Sequence, residues 1–268
     1  MGIPGNVEST GGPVHNIQLL EEKNLDFAMV TNGPAAEGWS GEGWAKGKKF
    51  QNQRAIFPMY TTFFQMYSLK KSNIKSIMDF EGKSVGVGPV GGTPATYWPM
   101  IIQSAGVKTG RIVNASSADL NSQLQDGMLD ANGNALGVPW TTITEVETTN
   151  DVNVYGVPTD VADKFIAKYP YFAKGMIPKG TYKSNPDSDL PTLTLWNFMA
   201  VHKDTPDDFV YEVVKATFDN VDILVAAHKS ATEVKPENVI YSPIPLHPGA
   251  VKYYQEKGIK FPDALMAK

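Results

Sequence analysis

Apolar positions spaced three and four apart alternate along this chain with short runs of β-branched and aromatic residues. In "PVHNIQLLEEKN" the residues Val14, Ile17 and Leu20 share one helix face, and "LDFAMVT" then reads as a buried strand. A glycine- and lysine-rich loop, "GWSGEGWAKGKKFQNQ", is expected next. "RAIFPMY" and "TFFQMYSLKK" follow as strands, with Pro58 interrupting the first. "NIKSIMDFEGKSVGVG" predicts a short helix and a strand, and "TPATYWPMIIQSAGV" a helix that Pro99 should kink or shorten. "SADLNSQLQDGMLDANGNAL" predicts a capped helix and a strand from about Leu129. The polar, turn-rich 179–191 leads into the strand "TLTLWNFMAVHKD", and "TPDDFVYEVVKATFDNVDILVAAHK" is one long helix or two in tandem. Alternating helices and strands argue for an α/β fold. The strands at 61–70 and 192–203 are long enough to connect two lobes.

Composition narrows the chemistry. At 268 residues, 42% hydrophobic and 19% charged, the chain can bury one large core or two ordinary ones. A net charge of −4 argues against a general nucleic-acid binder. No apolar run approaches the ~18 residues of a membrane-spanning helix. There is no cysteine, and the four histidines (His15, His202, His228, His247) show no metal-binding helix spacing. No metal, cofactor or catalytic group is therefore expected. The start of the sequence has no basic segment or apolar run of the kind that opens a secretion signal.

Two stretches stand out. Gly11 and Gly12 precede Pro13 at one helix start, and Gly91 and Gly92 precede Thr93 and Pro94 at another. A helix N-terminus carries unpaired N–H groups and about half a positive charge, so it suits an anion, and glycine lets a ligand approach the backbone. The alternative is plain capping, with Thr93 as N-cap and Pro94 at the first helical position. The chain holds a control at Thr205-Pro206, where Asp207 and Asp208 fill the first turn and leave no use for an outside anion. The glycine-lined starts lack such acids.

Several blocks in order resemble the TAXI family of solute receptors of TRAP transporters. They are "VESTGGPVHNIQLL" at 7–20 against the family's T-G-G-S-V-x-N, "LDFAMVTNG" at 25–33, and "IKSIMDFEGKSVGVGPVGGT" at 74–93 against K-S-x-x-D-L-x-G-K and G-S-G-T. "LQDGMLDA" at 124–131, "IPKGTY" at 177–182 and "IPLHPGAVKYYQEKGI" at 244–259 complete the set. The resemblance implies a two-lobe type II periplasmic-binding-protein fold with hinge strands between the lobes. Lobe I would be 1–68 plus 195–268, and lobe II 69–194. It implies an extracytoplasmic, non-enzymatic receptor that binds a small carboxylate (glutamate, 2-oxoglutarate or a C4-dicarboxylate) in the inter-lobe cleft and passes it to a membrane permease. An intracellular small-molecule sensor, or an enzyme on the same fold, is the alternative reading.

The family usually carries a strand and a glycine-tyrosine motif ahead of the first block. Both are missing here, which would leave a sheet position for a homodimer to cover. Pro13 and Gly92 stand where serines are usual.

On the resemblance, the ligand-binding candidates are Thr10, Gly11 and Gly12 in one jaw and Gly92 and Thr93 in the other. Thr31, Asn32 and Tyr60 join the first set, with Asn132, Asn134 and Pro139 in a loop of the second lobe. Each has a structural alternative as a turn, cap or core residue. His247 is expected to order a helix start. Arg54 is expected in a surface pair, and Arg111 is the better carboxylate clamp. Trp39, Trp44 and Lys46–Lys49 are expected on an exposed loop, and Trp140 and Trp196 in the core or at the cleft wall.

Overall fold

Residues 5–266 are described by a computed structural model in which the predicted alternation is continuous. The order is α1 (Pro13–Glu21), β1 (Phe27–Thr31), α2 (Asn32–Ser40), β2 (Gln53–Leu69), β3 (Ser84–Gly86), α3 (Thr93–Ser104), β4 (Arg111–Val113) and α4 (Ser117–Gln125). Then come β5 (Ala131–Leu136), α5 (Thr141–Val146), β6 (Val152–Tyr155), α6 (Thr159–Lys168), β7 (Ala173–Ile177), β8 (Leu190–His202), α7 (Asp207–Asp219), α8 (Val221–Ala227) and α9 (Pro248–Glu256). The chain forms two compact units. One holds the residues up to Thr61 and from Trp196 onward, and the other holds Thr62–Leu195. β2 and β8 each pass from one unit into the other.

In the first unit β1 pairs antiparallel with β8, from Phe27 opposite Val201 to Thr31 opposite Asn197. Alternation puts Ala28, Val30, Phe198 and Ala200 into a core closed by Ile17 and Leu20 of α1 and by Val210, Val214, Tyr253 and Tyr254 of α7 and α9. Gly249 allows α9 to lie against α7, because a Cβ there would meet the backbone carbonyl of Asp207.

In the second unit β3 lies between two parallel partners, Gly86 facing Val113 of β4 and Asn132 of β5. β5 runs antiparallel to β2, with Tyr67 opposite Asn132 and Gln65 opposite Asn134. β6 pairs with β2 and β7 with β8. Trp98, Tyr97, Phe64 and Phe165 are almost fully buried, and each such side chain stabilises the unit by roughly 1.5–3 kcal/mol relative to exposure.

Three expectations are corrected. Pro58 does not interrupt a strand: β2 runs unbroken for 17 residues, because the fixed proline φ suits extended chain and only one ladder donor is lost. Pro99 lies inside α3, as expected, and the helix reaches Ser104. The burial of Tyr97, Trp98, Ile101 and Ile102 around it outweighs a proline cost of about 3 kcal/mol. The stretch from Gly38 is a loop between α2 and β2 as expected, apart from the last residues of α2 and a 3-10 turn at Gly43–Ala45, but Trp39 and Trp44 are half-buried against the core rather than exposed. Trp44 Nε1 donates to the Pro34 carbonyl at 3.0 Å. Finally, Asn132 and Asn134 lie in β5, not in a loop. The 207–227 region is two helices in tandem, divided at Asn220. No helix among the described residues is long and apolar enough to cross a membrane.

Candidate functional site

In the first unit α1 begins on Gly12, whose φ of 118° suits glycine and strains other residues. The turn before it uses its own side chains. Thr10 Oγ1 donates to Asn16 Oδ1 at 2.5 Å and accepts from Gly12 N at 3.1 Å, while Gly11 N donates to His15 Nδ1 at 3.1 Å. The Thr10 hydroxyl proton, expected from sequence to face a ligand, is thus committed to Asn16. What α1 offers outward is the backbone N–H groups of Val14 and His15, with no acid in the first turn.

Asn16 ties this turn to β1 through Nδ2, which donates to Met29 O at 2.8 Å. Tyr60 Oη reaches Met29 Sδ at 4.0 Å. Burial raises the Tyr60 pKa above the ordinary phenol value, so its hydroxyl keeps its proton and remains a donor. At the carboxyl end of β1, Thr31 Oγ1 donates to Asn197 Oδ1 at 2.9 Å, and Asn197 Nδ2 donates to Tyr60 O at 2.7 Å. Asn32, 7% exposed, donates through Nδ2 to Tyr241 O at 3.0 Å, and its buried Oδ1 has no partner. Thr10, Gly11, Gly12 and Tyr60 are thereby linked through Met29, and Tyr60 to Thr31 through Asn197.

In the second unit the carboxyl ends of three parallel strands, β4, β3 and β5, face the loop 87–92 and the start of α3. Open α/β sheets take ligands at such ends. Gly92, not Thr93, is the N-cap. Thr93 is the first helical residue and 3% exposed, and Pro94 brings no N–H. Gly92 O is held by Thr96, whose N and Oγ1 both donate to it at 3.1 Å. Asn114 Nδ2 donates to Gly88 O at 3.0 Å, fixing the loop. Asn134 Nδ2 donates to Ser117 Oγ at 2.9 Å, and its carbonyl accepts from Trp98 Nε1 of α3 at 3.2 Å. α3 has no acid in its first turn, whereas α4 has Asp119 and α7 has Asp207 and Asp208.

The remaining candidates separate from this group. Asn132 is fully buried and donates to Tyr67 Oη at 3.1 Å. Pro139 follows a cis peptide bond and precedes Trp140, whose N donates to Tyr182 Oη at 2.7 Å. Tyr182 Oη in turn donates to Gln65 Oε1. Arg111, the expected clamp, opens β4 at the end away from the loop 87–92, is exposed, and donates to Met128 O at 3.2 Å. Arg54 donates to Gln51 O and Gln53 O and lies 5.1 Å over the Trp39 ring. His247 caps α9, its Nδ1 accepting from Gly249 N at 3.2 Å. Trp140 is buried in the core of the second unit. Trp196 is half-buried and stacks on Tyr241 at 4.9 Å. No cluster able to hold a metal occurs among the described residues.

Sequence reasoning missed Asn16, Asn114 and Asn197. Asn16 was within reach, since it occupies the last position of the block "TGGPVHN". Asn197 acts across more than 130 residues of chain, which no local pattern signals.

The profile of the NMT1-like family matches residues 1–258. Among solved structures, the chain is similar to the periplasmic binding protein BugD at 13% identity, over 95% of this chain and 86% of that one, with a TM-score of 0.54. It also matches the GluR0 ligand-binding core in complex with L-glutamate at 11% identity, over 84% and 79%, with a TM-score of 0.47. A third match is an ABC uptake transporter substrate-binding protein from Streptococcus pneumoniae with bound histidine, at 11% identity over 81% and 71%, TM-score 0.45. The likeness to BugD shows the α/β periplasmic-binding-protein fold.

Proposed function

The chain belongs to the NMT1-like family, and from that premise we propose that it is an extracytoplasmic solute receptor of the TAXI type. In this reading it binds a small carboxylate of the glutamate, 2-oxoglutarate or C4-dicarboxylate class and delivers it to the membrane permease of a TRAP-type transporter. The fold it shares with BugD supports a binding role. The observation that carries the carboxylate is the contrast among helix starts. α4 and α7 have an acid in the first turn, and of the helices without one, α1 and α3 are capped by glycine whereas α2, α5 and α9 are capped by Thr31, Trp140 and His247. The helix dipole at α1 and α3 is therefore uncompensated and open to an anion. In the second unit Gly92, Thr93 and Asn134 are proposed as ligand groups, and in the first unit, taken by itself, Gly11, Gly12 and Tyr60. No step of chemistry is proposed for them.

A thermal-shift panel of glutamate, glutamine, 2-oxoglutarate, succinate, fumarate and malate tests the reading. A ligand at one hundred times its Kd stabilises the folded state by about 2.7 kcal/mol, which is readily seen. No shift with any carboxylate, confirmed by calorimetry, overturns it.

A further inference from the structure

Beside α1, within the first unit, lies a cavity of about 380 Å³ that the solute reading does not use. Its apolar part is made by Leu19, Ala45, Trp44 and Phe50, with the two aromatic rings 4.8 Å apart. Lys46 and Lys48 line it as well, both exposed, and Lys48 Nζ lies 4.7 Å over the Phe50 ring. Lys49 follows in the chain and is also exposed. None of these three lysines makes an ion pair among the described residues. From α1, His15 adds a donor. Its Nδ1 accepts from Gly11 N at 3.1 Å, which leaves a ring proton on Nε2. Glu22 is the one acid lining the cavity, and it accepts from Asn24 Nδ2 at 3.1 Å.

The loop that carries the lysines is fixed by its backbone. Gly47 N donates to Gly41 O at 2.7 Å, Lys48 N to Ala45 O at 3.0 Å, and Phe50 N to Gly38 O at 2.8 Å. Lys46 stands at a φ of 50°, a left-handed conformation that glycine or asparagine adopts with less strain. A cation is held there in spite of that strain.

Unpaired cations at fixed places around an apolar floor complement an anion that brings an apolar body with it. A bilayer surface fits poorly. Segments that bind lipid sink projecting apolar side chains into it, whereas Trp44 is half-buried here and Phe50 only 4% exposed. The apolar group must therefore come from the partner.

We infer that this cavity is a docking point for an acidic segment of a partner protein. One apolar or aromatic side chain of that segment seats against Trp44 and Phe50, and its carboxylates meet Lys46, Lys48 and Lys49. Only the identification of this partner with the permease rests on the receptor reading above. The docking chemistry stands apart from it, and the solute panel is a separate measurement.

The probe is a fluorescein-labelled peptide, EEEFEEE, titrated with the whole protein by fluorescence anisotropy at low salt. A second peptide has serine in place of the phenylalanine. Both are measured on the wild type, on Lys46→Gln combined with Lys48→Gln, and on Lys46→Arg combined with Lys48→Arg. Unchanged melting temperatures check that each variant is folded. The expected result is saturable binding to the wild type that weakens as salt is raised, about tenfold weaker in the glutamine variant and retained in the arginine variant. The serine peptide is expected to bind at least about tenfold more weakly than the phenylalanine one. No saturable binding, equal binding to the wild type and the glutamine variant, or equal binding of the two peptides overturns the assignment. So does retention of the protein on vesicles of equal phosphatidylcholine and phosphatidylserine as tight as its binding to the peptide, which would make the lysine loop a membrane contact.

Discussion

Tyr67 and Asn132 face each other across β2 and β5, and the buried amide donates to the phenol oxygen at 3.1 Å. The phenol passes its own proton to Asn121 Oδ1 at 2.8 Å. Burial holds the Tyr67 pKa well above the phenol range, so it stays a neutral donor at any working pH. This pair explains why a polar residue occupies the middle of a core strand. Asn132 is part of the support beneath the sheet end where Asn134 and the start of α3 meet.

Removing one member of that pair should cost more than removing both. Tyr67→Phe strands Asn132 Nδ2 beside an Oδ1 that already lacks a partner. The expected loss is about 1–3 kcal/mol, the cost of a buried unsatisfied polar group. In Tyr67→Phe combined with Asn132→Leu, urea unfolding should recover part of it. Strictly additive losses in the double variant would disprove the coupling.

At the start of α3 the side chain and the backbone can be tested separately. Thr93→Val keeps the β-branched shape and removes the hydroxyl. Solute affinity should fall about tenfold, the effect of one hydrogen bond. Thr93→Trp cannot fit a position only 3% exposed and should abolish binding. Wild-type affinity in Thr93→Val would remove this hydroxyl from the site.

Much of this was legible in the sequence wherever one short segment decided the outcome. The glycine-proline helix starts, the acid-filled start of α7 and the His247 cap all follow from four or five consecutive residues. The failures share one cause, which is tertiary packing overriding a local signal. Pro58 reads as an interruption, yet β2 runs on through it, with Ala55, Ile56 and Phe57 buried beside it. The strand expected from about Leu129 is β5, but Asn132 and Asn134, expected in a loop, lie within it, paired with Tyr67 and Gln65 of β2 from more than sixty positions away.

Gly249 gives a prediction whose sign opposes helix propensity. Alanine in place of a helical glycine usually adds up to about 1 kcal/mol of stability. Here the new Cβ would meet the Asp207 carbonyl and lie 3.0 Å from Val210 Cβ, where α9 crosses α7. Gly249→Ala should therefore destabilise, by about 1–3 kcal/mol as for other overpacked cores. A raised melting temperature would mean that the two helices separate without penalty.

The histidines predict how stability responds to acid. Burial is the main influence on His202 and His247 and holds both below the ordinary imidazole value of about 6.5, against the opposing pull of Asp204 and Asp207. In the unfolded chain both recover that value, so between about pH 6.5 and their lower folded values the unfolded state binds more protons. Stability is then complete above about pH 6.5 and is lost as the pH falls through that window, before most carboxylates titrate. His247 Nδ1 accepts from Gly249 N, and asparagine can give the same N-cap bond without taking up a proton. His247→Asn should accordingly keep α9 capped and flatten the fall in urea midpoint between pH 7 and pH 5, with the residual slope belonging to His202. An identical slope in variant and wild type would show that His247 does not resist protonation in the folded protein.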